Sequence, residues 1–294
     1  MGFLDGFLRL FSSSEKRVDV AKRFDLRRRT GQGSMSKVWY AYDRELNRTV
    51  AFKLLDRDKT MRFEETFRRR KLDKPTEGEI CMQLRHDNIV RTFEHGMTTT
   101  DEPYIVMEWI EGSGLNSLID TRHKSLNGKR IAILVAMADA LAYLHSRQFI
   151  HRDICPRNVM LTTDGVVKLI DFGLTIPDKP EFRAPGNRTG TADYLAPEII
   201  NRKATDLRVD VYAMGITAFE LLTGTLPWER ATNSADTLRK HLNTPPRHIQ
   251  EVRPDIDDET AAVVMRAFEK DPMDRYRSMA ELRDAFEALS DRDY

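Results

Sequence analysis

The hydrophobic period of the sequence changes near Gly112, and this change constrains the fold more than any other feature. Before it, apolar residues alternate with their neighbours, which predicts strands at 38–42, 50–54, 89–94 and 104–109. After it, apolar residues recur with the helical period, which predicts helices at 130–145, 206–222, 260–268 and 279–289. The sequence therefore predicts an α+β fold in which a small β-rich part precedes a larger, mostly helical part.

We expect the boundaries between these parts near residues 16 and 110. Residues 17–110 would form the small part, with one main helix that breaks near Pro75, and residues 111–294 would form the helical part. Small molecules commonly bind in a cleft between two such lobes. Residues 1–16 would form an amphipathic segment and a linker. One helical face of that segment would carry Phe3, Leu4, Phe7, Leu8 and Phe11.

Two interpretations of the amphipathic segment stay open. Residues 1–14 either dock on the chain's own domain or contact a membrane or a partner. The polar face holds one Asp and one Arg, so anionic lipid would add little attraction. The N-terminal myristoylation pattern is absent because residue 6 is Gly6 rather than Ser or Thr.

The charge balance and the cysteine count exclude several classes of protein. The 47 basic and 46 acidic residues leave a net charge of +1, which argues against a nucleic-acid partner. Cys81 and Cys155 are too few for a disulfide framework and are typical of a reduced, cytoplasmic protein. The most apolar helical run, 131–144, is too short to span a bilayer, so we expect no transmembrane segment. The oligomeric state stays open.

A glycine-rich stretch, TGQGSMSKV at 30–38, is the first sign of phosphate binding. Gly31 and Gly33 lie between two predicted strands, where backbone amides can approach an anion without a Cβ in the way. An ordinary hairpin would have the same pattern.

The stretch VAFK at 50–53 adds a cation. On a strand, Ala51 and Lys53 point to the same face, and Lys53 could then reach phosphate oxygens. A lysine on an inner face needs an acidic partner when no ligand is bound, and Glu77 and Glu79 are the candidates. The alternative is a surface lysine.

Two motifs in the helical part supply a base and metal ligands. HRDICPRN, at 151–158, contains Asp153, which could accept a hydroxyl proton, and Asn158, whose amide oxygen could bind a metal. DFG, at 171–173, contains Asp171, a hard oxygen ligand suited to Mg²⁺. Each residue alone could belong to a solvated loop, but their joint order and spacing indicates a site.

The chain resembles a eukaryotic-type, or Hanks-type, protein kinase of the serine/threonine branch that also occurs in bacteria. The resemblance covers about 24–289 and rests on seven motifs in family order. They are the glycine loop, VAFK, HRD with its following Asn, DFG, GTADYLAPE, DVYAMG and DPMDRY. It implies a two-lobed fold and transfer of the γ-phosphate of Mg-ATP to serine or threonine hydroxyls of proteins, with Mn²⁺ as an alternative metal.

The resemblance also implies roles for individual residues. Lys53 would hold the α- and β-phosphates of ATP and pair with Glu77, the glutamate that the family spacing selects. Asp171 and Asn158 would hold the metal, and Asp153 would receive the substrate hydroxyl proton. The other ATP-binding residues would be Thr30, Gly31, Gln32, Gly33, Ser34, Met35, Ser36, Lys37, Val38, Ala51, Met107, Glu108, Ile110 and Met160.

Cys155 departs from the family pattern. Related serine/threonine kinases carry a lysine there, which contacts the γ-phosphate and the threonine equivalent to Thr191. Its loss would lower the rate by about two to three orders of magnitude, by analogy with one lost oxyanion donor. Arg157 either supplies the missing charge, as an arginine at this place does in many tyrosine kinases, or faces the substrate and favours acidic sequences. The rival interpretation is a pseudokinase, a nucleotide-binding or scaffolding module.

Specificity and regulation are predicted from the activation segment. GTADYLAPE favours serine/threonine over tyrosine or dual specificity, because tyrosine kinases usually place proline and tryptophan before APE. Arg152 suggests regulation, since in relatives a phosphate on this segment pairs with that arginine, and Thr189 is the predicted phosphosite. Glu198 and Arg275 resemble a buried structural ion pair, and Asp210 resembles the aspartate that braces the catalytic loop.

Overall fold

The computed structural model describes residues 17–32, 36–185, 189–292 and 294, so the predicted amphipathic segment at 1–16 lies outside the described residues. Contacts within the chain divide it into two units. The first contains the described residues up to Arg85 together with Val90–Ile110, and the second contains His86–Ile89 and Glu111–Tyr294. The first unit consists mainly of strands and the second mainly of helices, which confirms the predicted α+β class.

An antiparallel sheet of five strands forms the body of the first unit. The strands are β1 (Phe24–Gln32), β2 (Ser36–Asp43), β3 (Arg48–Leu55), β4 (Thr92–Met97) and β5 (Pro103–Glu108), and a short helix, α1 (Val20–Arg23), precedes them. Their order across the sheet is β1-β2-β3-β5-β4. The Phe52 ring lies between those of Phe24 and Tyr104, with ring centroids 4.5 and 5.7 Å away. These aromatic residues bury one face of the sheet, as the alternation predicts.

The strand predicted at 89–94 lies three residues further along the chain. β4 begins at Thr92, because the segment before it joins the second unit: Asn88 Nδ2 donates to Val167 O at 3.0 Å, and Leu169 N donates to Asn88 O at 2.8 Å. Ile89 is buried there by a bridge to Leu169. Ile89 is therefore buried within the second unit and not in the five-stranded sheet. The division of the chain into segments 1–16, 17–110 and 111–294 stays a prediction. His86–Ile89 departs from this division, because these residues belong to the second unit although they lie within 17–110.

The helical stretch after β3 forms two separate helices, α2 (Arg57–Arg68) and α3 (Glu77–Gln83). α2 ends well before Pro75, and Lys71 in the connector has a φ of 57°, a left-handed conformation that a helix cannot contain. Thr76 then caps α3: Glu79 N donates to Thr76 Oγ1 at 3.3 Å, and Thr76 N donates to Glu79 Oε2 at 2.7 Å. This capping box fixes the start of α3 at Glu77.

Gly78 lets α3 pack closely on β4, because a Cβ at this position would lie 2.5 Å from the Cβ of His95. We expect Gly78→Ala to lower the free energy of unfolding by about 1–2 kcal/mol, since the overpacking cost exceeds the gain in helix propensity. Urea titration would measure the change, with exposed Gln83→Ala in the same helix as the control. A Gly78→Ala protein as stable as the control would contradict this packing.

The second unit has a helical core with short strands. Its strands are β6 (Gly112–Gly114), β7 (Phe149–Ile150), β8 (Val159–Thr162), β9 (Val167–Leu169) and β10 (Ile176–Pro177). Its helices are α4 (Leu115–Asp120), α5 (Arg130–Ser146), α6 (Pro197–Ile200), α7 (Arg208–Thr223), α8 (Ser234–Asn243), α9 (Ile249–Val252), α10 (Asp258–Ala267) and α11 (Met279–Glu287). The four predicted long helices are confirmed as α5, α7, α10 and α11.

α7 is the central helix of this unit. It is buried on nearly all sides, as expected of a helix that is apolar all round, and it ends at Thr223, where the next residue, Gly224, caps it with a φ of 78° that suits glycine. Among the described residues, no helix is long and apolar enough to cross a membrane.

Candidate active site

An ion pair in the first unit joins the strand lysine to the helix glutamate. Lys53 on β3 is only 3% exposed, and its Nζ lies 2.5 Å from Glu77 Oε1. Glu79 is instead engaged in the capping box with Thr76. The structure therefore pairs Lys53 with Glu77 rather than with Glu79. The carboxylate of Glu77 thus offsets the cost of burying the Lys53 ammonium.

The predicted ATP-binding residues of the first unit lie on β1, β2, β3 and the end of β5. Thr30 Oγ1 donates to Val38 O at 3.3 Å across the β1–β2 pair, and Ala51 stands opposite Met107 in the β3–β5 register. The Glu108 amide donates to Arg91 O at 2.9 Å. An adenine would therefore have to bond to the carbonyl oxygen of Glu108. Gly31 and Gln32 end β1, Ser36 and Lys37 begin β2, and Ile110 is buried. Gly33, Ser34 and Met35 lie outside the described residues.

The catalytic-loop backbone of the second unit is fixed by Asp210. This carboxylate is fully buried on α7 and accepts the amides of His151 and Arg152, each at 2.8 Å, and Nε2 of His145 at 2.8 Å. Burial raises the pKa of Asp210, but these donors outweigh it and hold the pKa below its ordinary value. Arg152 has a φ of 69°, a conformation that costs a non-glycine residue energy. Asp210 therefore holds a strained turn directly before Asp153.

The Asp153 carboxylate is held from two sides. Thr191 donates both its amide and its hydroxyl to Asp153 Oδ1, each at 2.8 Å. Asn158 Nδ2 donates to Asp153 Oδ2 at 3.0 Å and to Asp153 O at 2.7 Å. The carboxylate is thus oriented by three donors while it stays partly exposed. Such an oriented base can receive a proton from a hydroxyl placed against it.

The Asn158 and Asp171 side chains fit a magnesium site. Asn158 directs its amide hydrogens to Asp153, which leaves Oδ1 as the atom that can ligate a metal. Ile170 N donates to Asn158 O at 3.1 Å, so Asp171 follows directly after a residue bonded to the catalytic loop. Among the described residues, no group of three or more His, Cys, Asp and Glu side chains could hold a metal. The Asn158 amide oxygen and the Asp171 carboxylate are oxygen ligands of the kind that Mg²⁺ binds together with phosphates and water.

The Cys155 side chain is buried beside Thr191. It is 1% exposed, and its Sγ lies 4.0 Å from Thr191 Oγ1. Burial raises the pKa of the Cys155 thiol to about 11, and the charge of Asp153 acts in the same direction. Cys155 is therefore neutral at physiological pH and supplies no positive charge.

The guanidinium of Arg157 reaches the same threonine. Arg157 Nη2 donates to Thr191 Oγ1 at 3.3 Å, and the Arg157 residue is exposed. Arg157 is thus the positively charged residue of the catalytic loop that contacts Thr191.

We predict that Cys155 resists alkylation in the folded protein. A thiol with a raised pKa is almost entirely protonated at pH 7.5, and burial blocks access of the reagent. Iodoacetamide labelling followed by mass spectrometry should show reaction at Cys155 only near pH 11 or after denaturation. Rapid labelling of the folded protein at pH 7.5 would contradict this environment.

The remaining predicted site residues occupy the second unit. Met160 lies on β8 and is partly buried, and Thr189 has a buried hydroxyl oxygen, so its modification would require this segment to move. Arg275 donates to both carboxylate oxygens of Glu198, at 2.7 and 2.8 Å, and both residues are buried. This bidentate pair anchors the segment that contains Thr191 to the helical core. The regulatory roles of Arg152 and Thr189 stay predictions.

Comparison with known proteins identifies the family. The family model described as the protein kinase domain matches residues 24–286. The chain belongs to the protein kinase family. This kinase domain is 34% identical over 284 residues to a probable serine/threonine-protein kinase of Streptomyces coelicolor, covering 92% of this chain and 40% of that protein. It is 35% identical over 274 residues to the serine/threonine-protein kinase PksC of the same organism, covering 89% of this chain and 48% of that protein.

A third relative extends the similarity to another bacterial group. A probable serine/threonine-protein kinase of Clostridium perfringens is 34% identical over 267 residues, which cover 90% of this chain and 38% of that protein. The chain thus spans less than half the length of these curated relatives. The protein kinase fold predicted from the motifs is confirmed by the family match.

Sequence reasoning missed three contacts of the kinase's catalytic region. It did not foresee that Thr191 would orient Asp153 through two hydrogen bonds, or that His145 would share Asp210 with the loop. It also missed the hydrogen bond from the Tyr194 hydroxyl to the buried Glu220 carboxylate. These pairs lie 38, 65 and 26 residues apart, so no local periodicity could reveal them.

Proposed function

We propose that this kinase domain is catalytically active and transfers the γ-phosphate of Mg-ATP to serine or threonine hydroxyls of proteins. The observation that carries the proposal is the orientation of Asp153 by Thr191 and Asn158. The paired Lys53 and Glu77 of the first unit support it. A base, a cation for phosphates and two metal ligands are the parts that phosphoryl transfer requires.

The nucleotide and the metal would be held by the chain's own polar groups. Lys53 would bind the α- and β-phosphates, and Asp171 and Asn158 would ligate Mg²⁺ or Mn²⁺. When bound, the metal neutralises charge on the phosphates. The adenine would lie against Ala51 and Met160 and bond to the backbone at Glu108 and Ile110. The glycine-rich stretch 30–38 would cover the phosphates with its amides.

Arg157 takes over the function of the lysine that Cys155 replaces. The proposal rests on its contact with Thr191, the threonine that the family lysine contacts. A guanidinium carries its charge at every physiological pH and can bond phosphate oxygens in two places at once. The positive charge then comes from a side chain at position 157 instead of position 155, and it still reaches Thr191.

The acceptor is a protein serine or threonine, and the kinase works in the cytoplasm. Curated relatives named serine/threonine-protein kinases support the acceptor type, and two buried, free cysteines support a reducing compartment. Labelled ATP, a generic basic protein and acid hydrolysis of the product would identify the phosphorylated residue. We expect phosphoserine or phosphothreonine, and label found mainly on tyrosine would overturn the specificity.

A further inference from the structure

The first part of the activation segment, residues 174–185, follows the strand that leads into the catalytic loop. Its strand β10 pairs antiparallel with β7, and the Asp178 amide donates to Gln148 O at 2.7 Å. β7 ends directly before His151, the first residue of the catalytic loop. The start of the activation segment is therefore bonded to the backbone that leads to Asp153.

This pairing is too short to hold the segment by itself. Each of the two strands has two residues, and Pro177 has no amide hydrogen to donate to its neighbour. Two paired strands of this length are not stable in water without further contacts. The segment needs another anchor, and the residues directly after β10 supply it.

An ion pair closes the turn that follows β10. Asp178 is only 8% exposed, Arg183 Nε donates to its Oδ1 at 2.7 Å, and Arg183 Nη2 lies 2.7 Å from the same oxygen. Arg183 is the one cationic partner of Asp178 among the residues that the structure describes. Since a buried carboxylate without its partner keeps the full cost of desolvation, the pair stabilises the closed turn.

The closed turn is also joined to the helical core of the second unit. Thr205 N donates to Arg183 O at 3.0 Å, and Phe182 is buried. Thr205 lies in the connection between α6 and α7. Arg183 thus bonds to Asp178 through its side chain and to this connection through its backbone.

The place of the predicted phosphate is buried in this arrangement. The Thr189 hydroxyl oxygen is buried, and so is Arg152, the residue predicted to pair with a phosphate on the segment. At the far end of the segment, Glu198 forms its ion pair with Arg275. The activation segment is thus held near both of its ends by ion pairs between unmodified side chains.

We propose that Asp178 is a positioning residue, whose ion pair with Arg183 holds the start of the activation segment in place without a phosphate on that segment. The segment is then placed for a protein substrate as soon as the chain has folded. The consequence for the rate rests on the proposed function, but the order of the segment does not.

Hydrogen–deuterium exchange tests the proposal without any need for catalysis, in nucleotide-free protein that a phosphatase has cleared of phosphate, as checked by mass spectrometry. We expect Arg183→Gln to speed exchange in peptides covering 174–185 by about tenfold or more, because the turn opens locally. Lys179→Gln, at an exposed cation of the same turn, is the matched control. Peptides from α7 and α10 should exchange as in the unmodified protein. Faster exchange there as well would overturn the proposal, because the pair would then stabilise the whole unit rather than place the segment.

Two further variants separate lost charge from lost packing. Arg183→Lys keeps a cation for Asp178, so we expect exchange at 174–185 within about threefold of the unmodified protein. Asp178→Asn removes the charge with little change in shape and should speed exchange as Arg183→Gln does. An Arg183→Lys protein as fast as Arg183→Gln would overturn the proposal, because the charge would then be irrelevant.

Two other results would contradict it. One is exchange in Arg183→Gln no faster than in Lys179→Gln. The other is exchange at 174–185 in the unmodified protein that slows by about tenfold or more when the activation segment carries phosphate, because the phosphate would then hold the segment.

Catalysis gives a separate readout of the same variants. If the protein transfers phosphate, Arg183→Gln should lower kcat for a protein substrate by about tenfold, and Lys179→Gln should leave it unchanged. If the unmodified protein transfers none, the proposed function fails, while the exchange result still decides the role of Asp178.

Discussion

Replacing Asp153 with Asn should lower kcat for phosphate transfer by about two to four orders of magnitude, the usual contribution of a positioned general base. The amide oxygen of the new side chain can still accept the two hydrogen bonds that Thr191 donates. The fold of the loop should therefore survive while the charge and basicity are lost. Mg-ATP binding, measured by calorimetry, should stay nearly unchanged because Asp153 is assigned to the hydroxyl substrate.

Asp164→Asn provides the matched control for this experiment. Asp164 is an exposed aspartate of the same unit, in the turn between β8 and β9, and the same substitution there should leave kcat unchanged. A loss of less than about tenfold at Asp153 would be too small for a general base and would contradict its assignment.

Arg157→Ala should lower kcat by about two to three orders of magnitude, because it removes the cation that stands in for the missing lysine. KM for ATP should change less, since the charge acts on the phosphoryl group mainly as it transfers. Steady-state kinetics on a single protein substrate would measure both constants. Arg147→Ala, at an exposed arginine of the same unit, is the control.

Replacing Cys155 with lysine tests whether positions 155 and 157 can each supply the positive charge beside Thr191. In the Arg157→Ala background, Cys155→Lys should restore kcat to within about tenfold of the unmodified protein, since a side chain at 155 already faces Thr191 at 4.0 Å. If Arg157 instead selects acidic substrates, Arg157→Ala would change the preferred peptide with a loss in kcat below about twofold. That outcome, or no recovery of kcat with Cys155→Lys, would contradict the proposal that Arg157 supplies the charge of the missing lysine.

The fold could be predicted from the sequence wherever one period held over many residues. The four long helices of the second unit fall within a few residues of their predicted bounds, because each buries apolar side chains, on nearly all sides in the case of α7. The predicted start of β4 was three residues too early, because Ile89 is buried in the second unit, outside the five-stranded sheet. α8 was missed because its ten residues, SADTLRKHLN, carry few apolar side chains.

The residues of the candidate site could be predicted from the sequence, but the contacts that hold them in place could not. Motif order selected Lys53 and Glu77, which the structure pairs, and it placed Asp153 and Asn158 in one loop. The support for these residues comes from Asp210 and Thr191, which are distant in sequence and are recognised only from hydrogen bonds.

The central claim is that a kinase domain with Cys155 in its catalytic loop transfers phosphate. The most direct test measures Mg-dependent transfer of labelled phosphate from ATP, alongside Mg-ATP binding, for the unmodified protein and for Asp171→Ala. We predict label on serine or threonine that disappears when Mg²⁺ is omitted or Asp171 is replaced. Clear binding of Mg-ATP with no transfer by the unmodified protein would contradict the claim.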